Sequence, residues 1–204
     1  MFDPKAPIAA LTQSPLITFA KMKGTQHPKT PLPPNIFAPQ RRNSRGVDLS
    51  NTTHSNELSK QIKEVVSQAP WEVGSIINGV VDAQGEAQDM LSPRDYAEKI
   101  GKRYRATDEQ INMAYRSALQ AAPAWRARSA ADRAALLDKV ADLLEKNLPQ
   151  LVAYCMLEGG KILADGIDEV REAVDFCRYY AAQAQDLLGT PVQLKGYTWA
   201  RQFS

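Results

Sequence analysis

Glu172 is the acid whose sequence surroundings suggest a role beyond solvation. Residues 158–183 read EGGKILADGIDEVREAVDFCRYYAAQ. On a helix, where successive residues turn by about 100°, Ile167, Val170, Val174, Cys177 and Ala181 fall on one apolar stripe. Glu172, Phe176 and Tyr179 fall on the opposite side. A carboxylate between two aromatic rings fits the rim of a packing face, or the wall of a cavity in which it accepts hydrogen bonds from a polar ligand. On the first reading Glu172 could also contact Arg171 or Arg178, whereas Asp168, four residues earlier, would repel it.

Other residue types in the chain offer weaker chemistry. Gly159-Gly160-Lys161 resembles part of a phosphate loop, but the full spacing and the Ser or Thr after the lysine are missing. It reads as a helix stop with a solvated lysine. Cys155 and Cys177 have neither disulfide nor metal-ligand spacing, and neither His27 nor His54 lies near them in sequence. They read as core thiols of a reducing compartment. No catalytic and no metal-ligating residue is assigned.

Composition points to an ordinary globular chain: 204 residues, 44% hydrophobic and 24% charged, with net charge +2. The charge is uneven. Residues 1–60 hold eight Lys or Arg against Asp3, Asp48 and Glu57, so this leader carries +5 and the remainder −3. The basic leader lacks a dense Lys/Arg run and regular aromatic interleaving, which argues against a nucleic-acid partner. No apolar run reaches the roughly 18–20 residues of a membrane span, and the first residues do not read as a signal peptide. A cytoplasmic location is expected.

These side chains need elements to place them. Eight of the 13 prolines fall in the first 40 residues, so residues 1–50 read as an extended connector with one helical turn near Leu16–Lys23. A helix is expected over residues 56–68, with Leu58, Ile62, Val65 and Val66 on one side. Residues 75–81 read as a strand with a tight turn at Asn78-Gly79. Residues 82–106 read as polar and irregular, with at most a short strand near Tyr104. Thr107-Asp108-Glu109-Gln110 is a capping box; the helix behind it shows Ile111, Tyr115, Ala118 and Leu119 and should stop at Pro123. Ser129 caps the next helix, which turns Leu136, Val140, Leu143 and Leu144 inward. Pro149 suits a new first turn, and Leu151, Val152, Cys155 and Met156 lead to the Gly159-Gly160 stop.

EGGK followed by DEVREAVDFCRYYAAQ resembles the N-terminal helical part of aldehyde dehydrogenases. Within them it is similar to the glutamate-semialdehyde (pyrroline-5-carboxylate) dehydrogenase module of the bifunctional proline utilization A proteins. HPKTPLPP at residues 27–34, RRNSRGVDLS at 41–50 and FDPKAPI at 2–8 resemble the connector that follows the proline dehydrogenase barrel there. The resemblance implies an α/β aldehyde dehydrogenase-like fold, here its N-terminal, mostly helical part with a Pro-rich extended leader. Residues 1–50 would be the connector, 51–188 the helical part and 189–204 an atypical tail, because GTPVQLKGYTWARQFS does not resemble the family's continuation.

The family reaction it implies is NAD-dependent oxidation of glutamate semialdehyde to glutamate, a step of proline catabolism. A cysteine thiolate attacks the aldehyde, hydride passes to the nicotinamide, and a glutamate-activated water releases the acid. The family's central motifs are not in this sequence. The chain alone is therefore expected to be inactive and to bind no NAD. Glu172 is the one position the resemblance promotes: it matches the place where this helix borders the aldehyde entrance tunnel, which implies a carboxylate that hydrogen-bonds the substrate amino group or helps to exclude bulk water. Ser92-Pro93-Arg94-Asp95 loosely matches an Asn-Pro-Ala-Asp turn of the family. Expected partners are the aldehyde, and either the missing half of the fold or a second copy against the orphan apolar faces. The alternative is a non-catalytic helical interaction module.

Overall fold

The computed structural model describes residues 7–21 and 30–189. The expected atypical tail lies, but for its first residue, outside the described residues. The chain divides into two units, residues 1–32 and 33–204. In the first, α1 (Ile8–Leu11) and α2 (Pro15–Lys21) are short helices. The second matches the helical turn expected there, with Pro15 at the first position, where its missing N–H costs nothing. The first corrects a reading as extended chain.

The second unit opens with a 3₁₀ turn at Pro33–Asn35 and a segment without regular structure that runs to residue 50. Helix α3 (Thr52–Val66) begins four residues before its expected start, because the Asn51 side chain accepts from the N–H groups of Thr53 and His54. Leu58 and Ile62 are buried on it.

The largest correction concerns residues 71–104. Strands β1 (Trp71–Val73), β2 (Ser75–Ile77), β3 (Val80–Asp82), β4 (Ala87–Ser92) and β5 (Asp95–Tyr104) occupy the region. Asn78-Gly79 is not the end of one strand but the turn between two. Both residues have positive φ, 54° and 78°, which a two-residue hairpin turn requires and which Asn and Gly tolerate best. The stretch expected to be irregular forms most of a three-stranded sheet of order β1-β5-β4, with β1 parallel and β4 antiparallel to β5. Ser92 pairs with Asp95, so Pro93-Arg94 is the turn. Burial alternates along β4, but its inward positions are Gln88, Met90 and Ser92 while Leu91 faces out, so the residue types do not show the period of two that marks a strand.

Four helices follow. α4 (Asp108–Arg126) has the capping box at Thr107 and Gln110. It does not stop at Pro123. The proline sits in the last turn, where only one ladder bond is lost, and Ala127 N–H still donates to the Pro123 carbonyl at 3.1 Å. α5 (Ala130–Lys146) is capped by Ser129. Its buried residues are Ala134 and Ala141, with Leu137 and Leu144 half-buried, whereas Leu136, Val140 and Leu143 are exposed. That corrects the expected inward set. α5 packs against α7 (Leu163–Leu188) through small residues, Ala134, Ala141 and Ala181, which let two helices approach closely.

α6 (Leu148–Glu158) carries Pro149 in its first turn. The core joins Leu58 and Ile62 of α3, Val152 and Ala153 of α6, and Ile167 and Val170 of α7. The sheet leans on α6 through an edge-to-face contact of Trp71 and Tyr154, centroids 4.9 Å apart. Among the described residues no helix is long and apolar enough to cross a membrane.

Candidate functional site

The loop before α7 fixes where that helix starts. Gly160 has φ 64°, and a Cβ there would lie 3.3 Å from Pro93 Cγ. The β4–β5 turn is thus seated on the α6–α7 loop. Lys161 N–H donates to the Cys155 carbonyl, and its ammonium pairs with Glu169. That hydrogen bond raises the lysine pKa, so Lys161 stays cationic and engaged with α7. Burial pushes the Cys155 thiol up, with the Glu169 charge adding to it. Both effects disfavour the thiolate.

Along α7 the expected apolar stripe is in place: Ile167, Val170, Val174 and Ala181 are buried and Cys177 is half-buried. The opposite face is exposed. Glu172 makes no hydrogen bond or ion pair among the described residues, and the two arginines that could neutralise it are turned elsewhere. Arg171 binds Asp168 at 3.2 Å. Next along the face stand three rings rather than two. Phe176 stacks on Tyr180 at 6.2 Å, and Tyr179 meets Tyr180 edge-on at 5.3 Å. Tyr180 was not singled out in the sequence, although its i,i+4 relation to Phe176 is the signal that finds it.

Arg178 is the residue that sequence reasoning misplaced. It is 4% exposed and reaches α5, not Glu172. Its guanidinium donates to Asp142 at 2.8 Å, to both oxygens of Glu145 at 3.0 and 3.2 Å, and to the Asn43 carbonyl at 3.3 Å. The signal was present: Arg178 follows Val174 by one turn, so a cation stands on the buried stripe. Burial alone would raise the Glu145 carboxyl, but hydrogen bonds from Arg178 and from Arg45 N–H outweigh it and hold the group below the ordinary range. Asp138 is pushed up by burial, against the pull of Arg178.

The same charges hold residues 41–45 as a strap. Ser44 donates to Asp175 twice, Arg45 N–H donates to Glu145 at 2.8 Å, and Arg41 and Arg42 stand 3.7 and 3.8 Å from Asp175 and Glu145. Arg41 also lies 3.9 Å over Phe37 and 5.9 Å from the Tyr179 ring. A cavity of about 650 Å3 opens between the strap, α5 and α7, with Arg178 and Tyr179 on its wall.

Among the described residues no three His, Cys, Asp or Glu are grouped to hold a metal ion. A Rossmann-type dinucleotide site carries a glycine-rich turn that leads from a parallel strand into a helix N-terminus. Here β5, the strand parallel to β1, runs into Arg105-Ala106-Thr107, which holds no glycine, and the Thr107 hydroxyl accepts from Gln110 N–H of α4.

Comparison with known proteins matches this architecture. The sequence model of the Aldehyde dehydrogenase family matches residues 80–202. The chain is 34% identical over 190 residues to the bifunctional protein PutA of Klebsiella aerogenes, covering 90% of this chain and 14% of that protein. It superposes on the crystal structure of proline utilization A from Bdellovibrio bacteriovorus with TM-score 0.73 and 31% identity, over 78% of this chain and 17% of that one. A 1-pyrroline-5-carboxylate dehydrogenase from Thermus, solved with bound NAD, gives TM-score 0.69 and 25% identity, over 77% and 30% of the two chains. This chain therefore spans a minor part of each relative's length. With a family match over more than half of its residues, the chain belongs to the aldehyde dehydrogenase family.

Proposed function

We propose that this chain supplies the N-terminal helical part of an NAD-dependent glutamate-semialdehyde dehydrogenase of proline catabolism, in the cytoplasm, and that Glu172 receives the substrate's amino group. The observation that carries the reading is the carboxylate of Glu172 on the aromatic face of α7, which has no counter-ion among the described residues because Arg171 and Arg178 turn to other acids. The similarity to PutA over 90% of the chain supports it. A carboxylate one helical turn from Phe176 can take an ammonium by a charge-assisted hydrogen bond while the ring covers the aliphatic chain. The share of the reaction assigned to this chain is substrate orientation.

A chimera tests it. Residues 51–188 replace the matching segment of a PutA relative, and NADH formation is followed with glutamate semialdehyde and with propanal. An active chimera in which Glu172→Ala raises KM for glutamate semialdehyde about tenfold, the scale of one hydrogen bond to a charged group, and leaves propanal unchanged supports the proposal. Equal effects on both aldehydes, or none, overturn it.

A second reading is favoured by α4, whose Ile111, Tyr115 and Leu119 are 56%, 66% and 57% exposed. In it the chain is a helical interaction module whose apolar faces seat further polypeptide or a second copy. Sedimentation of the chain alone tests it: a monomer at all concentrations, with no dye-binding apolar surface, counts against it.

A further inference from the structure

A second cavity, of about 690 Å3, takes no part in the Glu172 reading. It lies between the strap, α3, the start of α6 and α7. Its inner wall is apolar: Leu58 and Val170 belong to the core, and Val47 and Leu148 pack against it. Its charged lining is unevenly satisfied. Glu145 is held by Arg178, Arg42 and the Arg45 N–H, Asp142 by Arg178, and Glu57 by the Gln61 amide at 2.9 Å. Arg45 and Lys146 also line the cavity, and neither side chain makes an ion pair among the described residues.

An apolar wall with two uncommitted cations on its lining suits a ligand with an apolar body and one anionic head, and the volume falls in the range of small-molecule sites, about 300–1,000 Å3. We propose that this cavity binds a small aliphatic monocarboxylate. The carboxylate takes charge-assisted hydrogen bonds from Arg45 and Lys146, and the chain lies against Leu58 and Val170. One wall belongs to the strap and the others to the helices, so the bound molecule ties them together and raises stability with the logarithm of its concentration once that exceeds Kd.

Calorimetric titration of the full 204-residue chain with hexanoate, hexylamine and hexanol tests this. Saturable hexanoate binding is expected, with no hexylamine binding and hexanol weaker by at least about tenfold, the scale of one charge-assisted hydrogen bond. The paired charge reversal Arg45→Glu and Lys146→Glu, both on exposed side chains, should remove hexanoate binding, and Glu172→Ala should leave it intact. The proposal fails if hexanol binds as well as hexanoate. It fails equally if the reversed variant still binds hexanoate, or if the folded chain shows no saturable binding.

Discussion

Ser44 and Asp175 are joined twice: the Ser44 N–H donates to one carboxylate oxygen and its hydroxyl to the other, each at 2.7 Å. A backbone and a side chain of an irregular segment are thus read by both oxygens of one acid on α7. Asp175→Ala leaves a strap N–H without its acceptor, so it should cost about 1–3 kcal/mol, and Ser44→Ala about 1 kcal/mol. Urea denaturation gives both values. Hydrogen exchange should show the loss of protection concentrated at the Ser44 and Arg45 amides.

Arg178 behaves as a buried cation with two acids. Arg178→Ala strands Glu145 and should destabilise by about 3–5 kcal/mol. Arg178→Met with Glu145→Leu removes both members of the pair and should recover most of that loss. A double-mutant cycle that shows additive losses would contradict the coupling.

Two acids on α5 should respond to pH with opposite signs. The pKa of Glu145 is depressed in the folded chain, so its contribution is full above the ordinary glutamate value and is lost as pH falls through the folded one. Asp138 is raised; its ionised form opposes folding, and its protonation favours the fold as pH falls. Thermal melts at descending pH should therefore fall less steeply for Glu145→Gln than for the parent chain. Asp138→Asn should melt higher than the parent near neutral pH.

Gly160 pairs a left-handed backbone with contact to Pro93. Gly160→Ala should cost at least about 1–2 kcal/mol from the backbone alone, and Gly160→Asn less, since Asn tolerates that region. Pro93→Ala should relieve only the steric share, so a full rescue of Gly160→Ala in that background would refute the backbone argument. Stability curves for the four variants decide it.

What could be read in the sequence was local. The capping box at Thr107, the Ser129 cap and the Gly159-Gly160 stop each involve residues within four positions of one another, and each stands where it was read. The stripe of Ile167, Val170 and Val174 was legible because a 26-residue helix repeats its period many times. The sheet was not. β1 and β3 have three residues each, and β4 turns Gln88, Met90 and Ser92 inward and Leu91 outward, so its residue types do not follow its alternating burial. α5 misled because large residues were taken for the core, whereas the approach of α7 selects Ala134 and Ala141. Arg178 was hidden because its partners lie on another helix and on the strap. For Glu172 the sequence supplied the face but not the counter-ions, which are settled only by where Arg171 and Arg178 turn.

The strap also has a place in the order of synthesis. Its acceptors and donors, Glu145, Asp175 and Arg178, lie 100, 131 and 135 residues further along the chain. On a ribosome residues 41–45 leave the tunnel long before α5 and α7 exist, and closing so long a loop lowers the chain entropy. The segment made early therefore waits for its partners, and until α7 is complete Arg41 and Ser44 lack the Asp175 carboxylate that holds them.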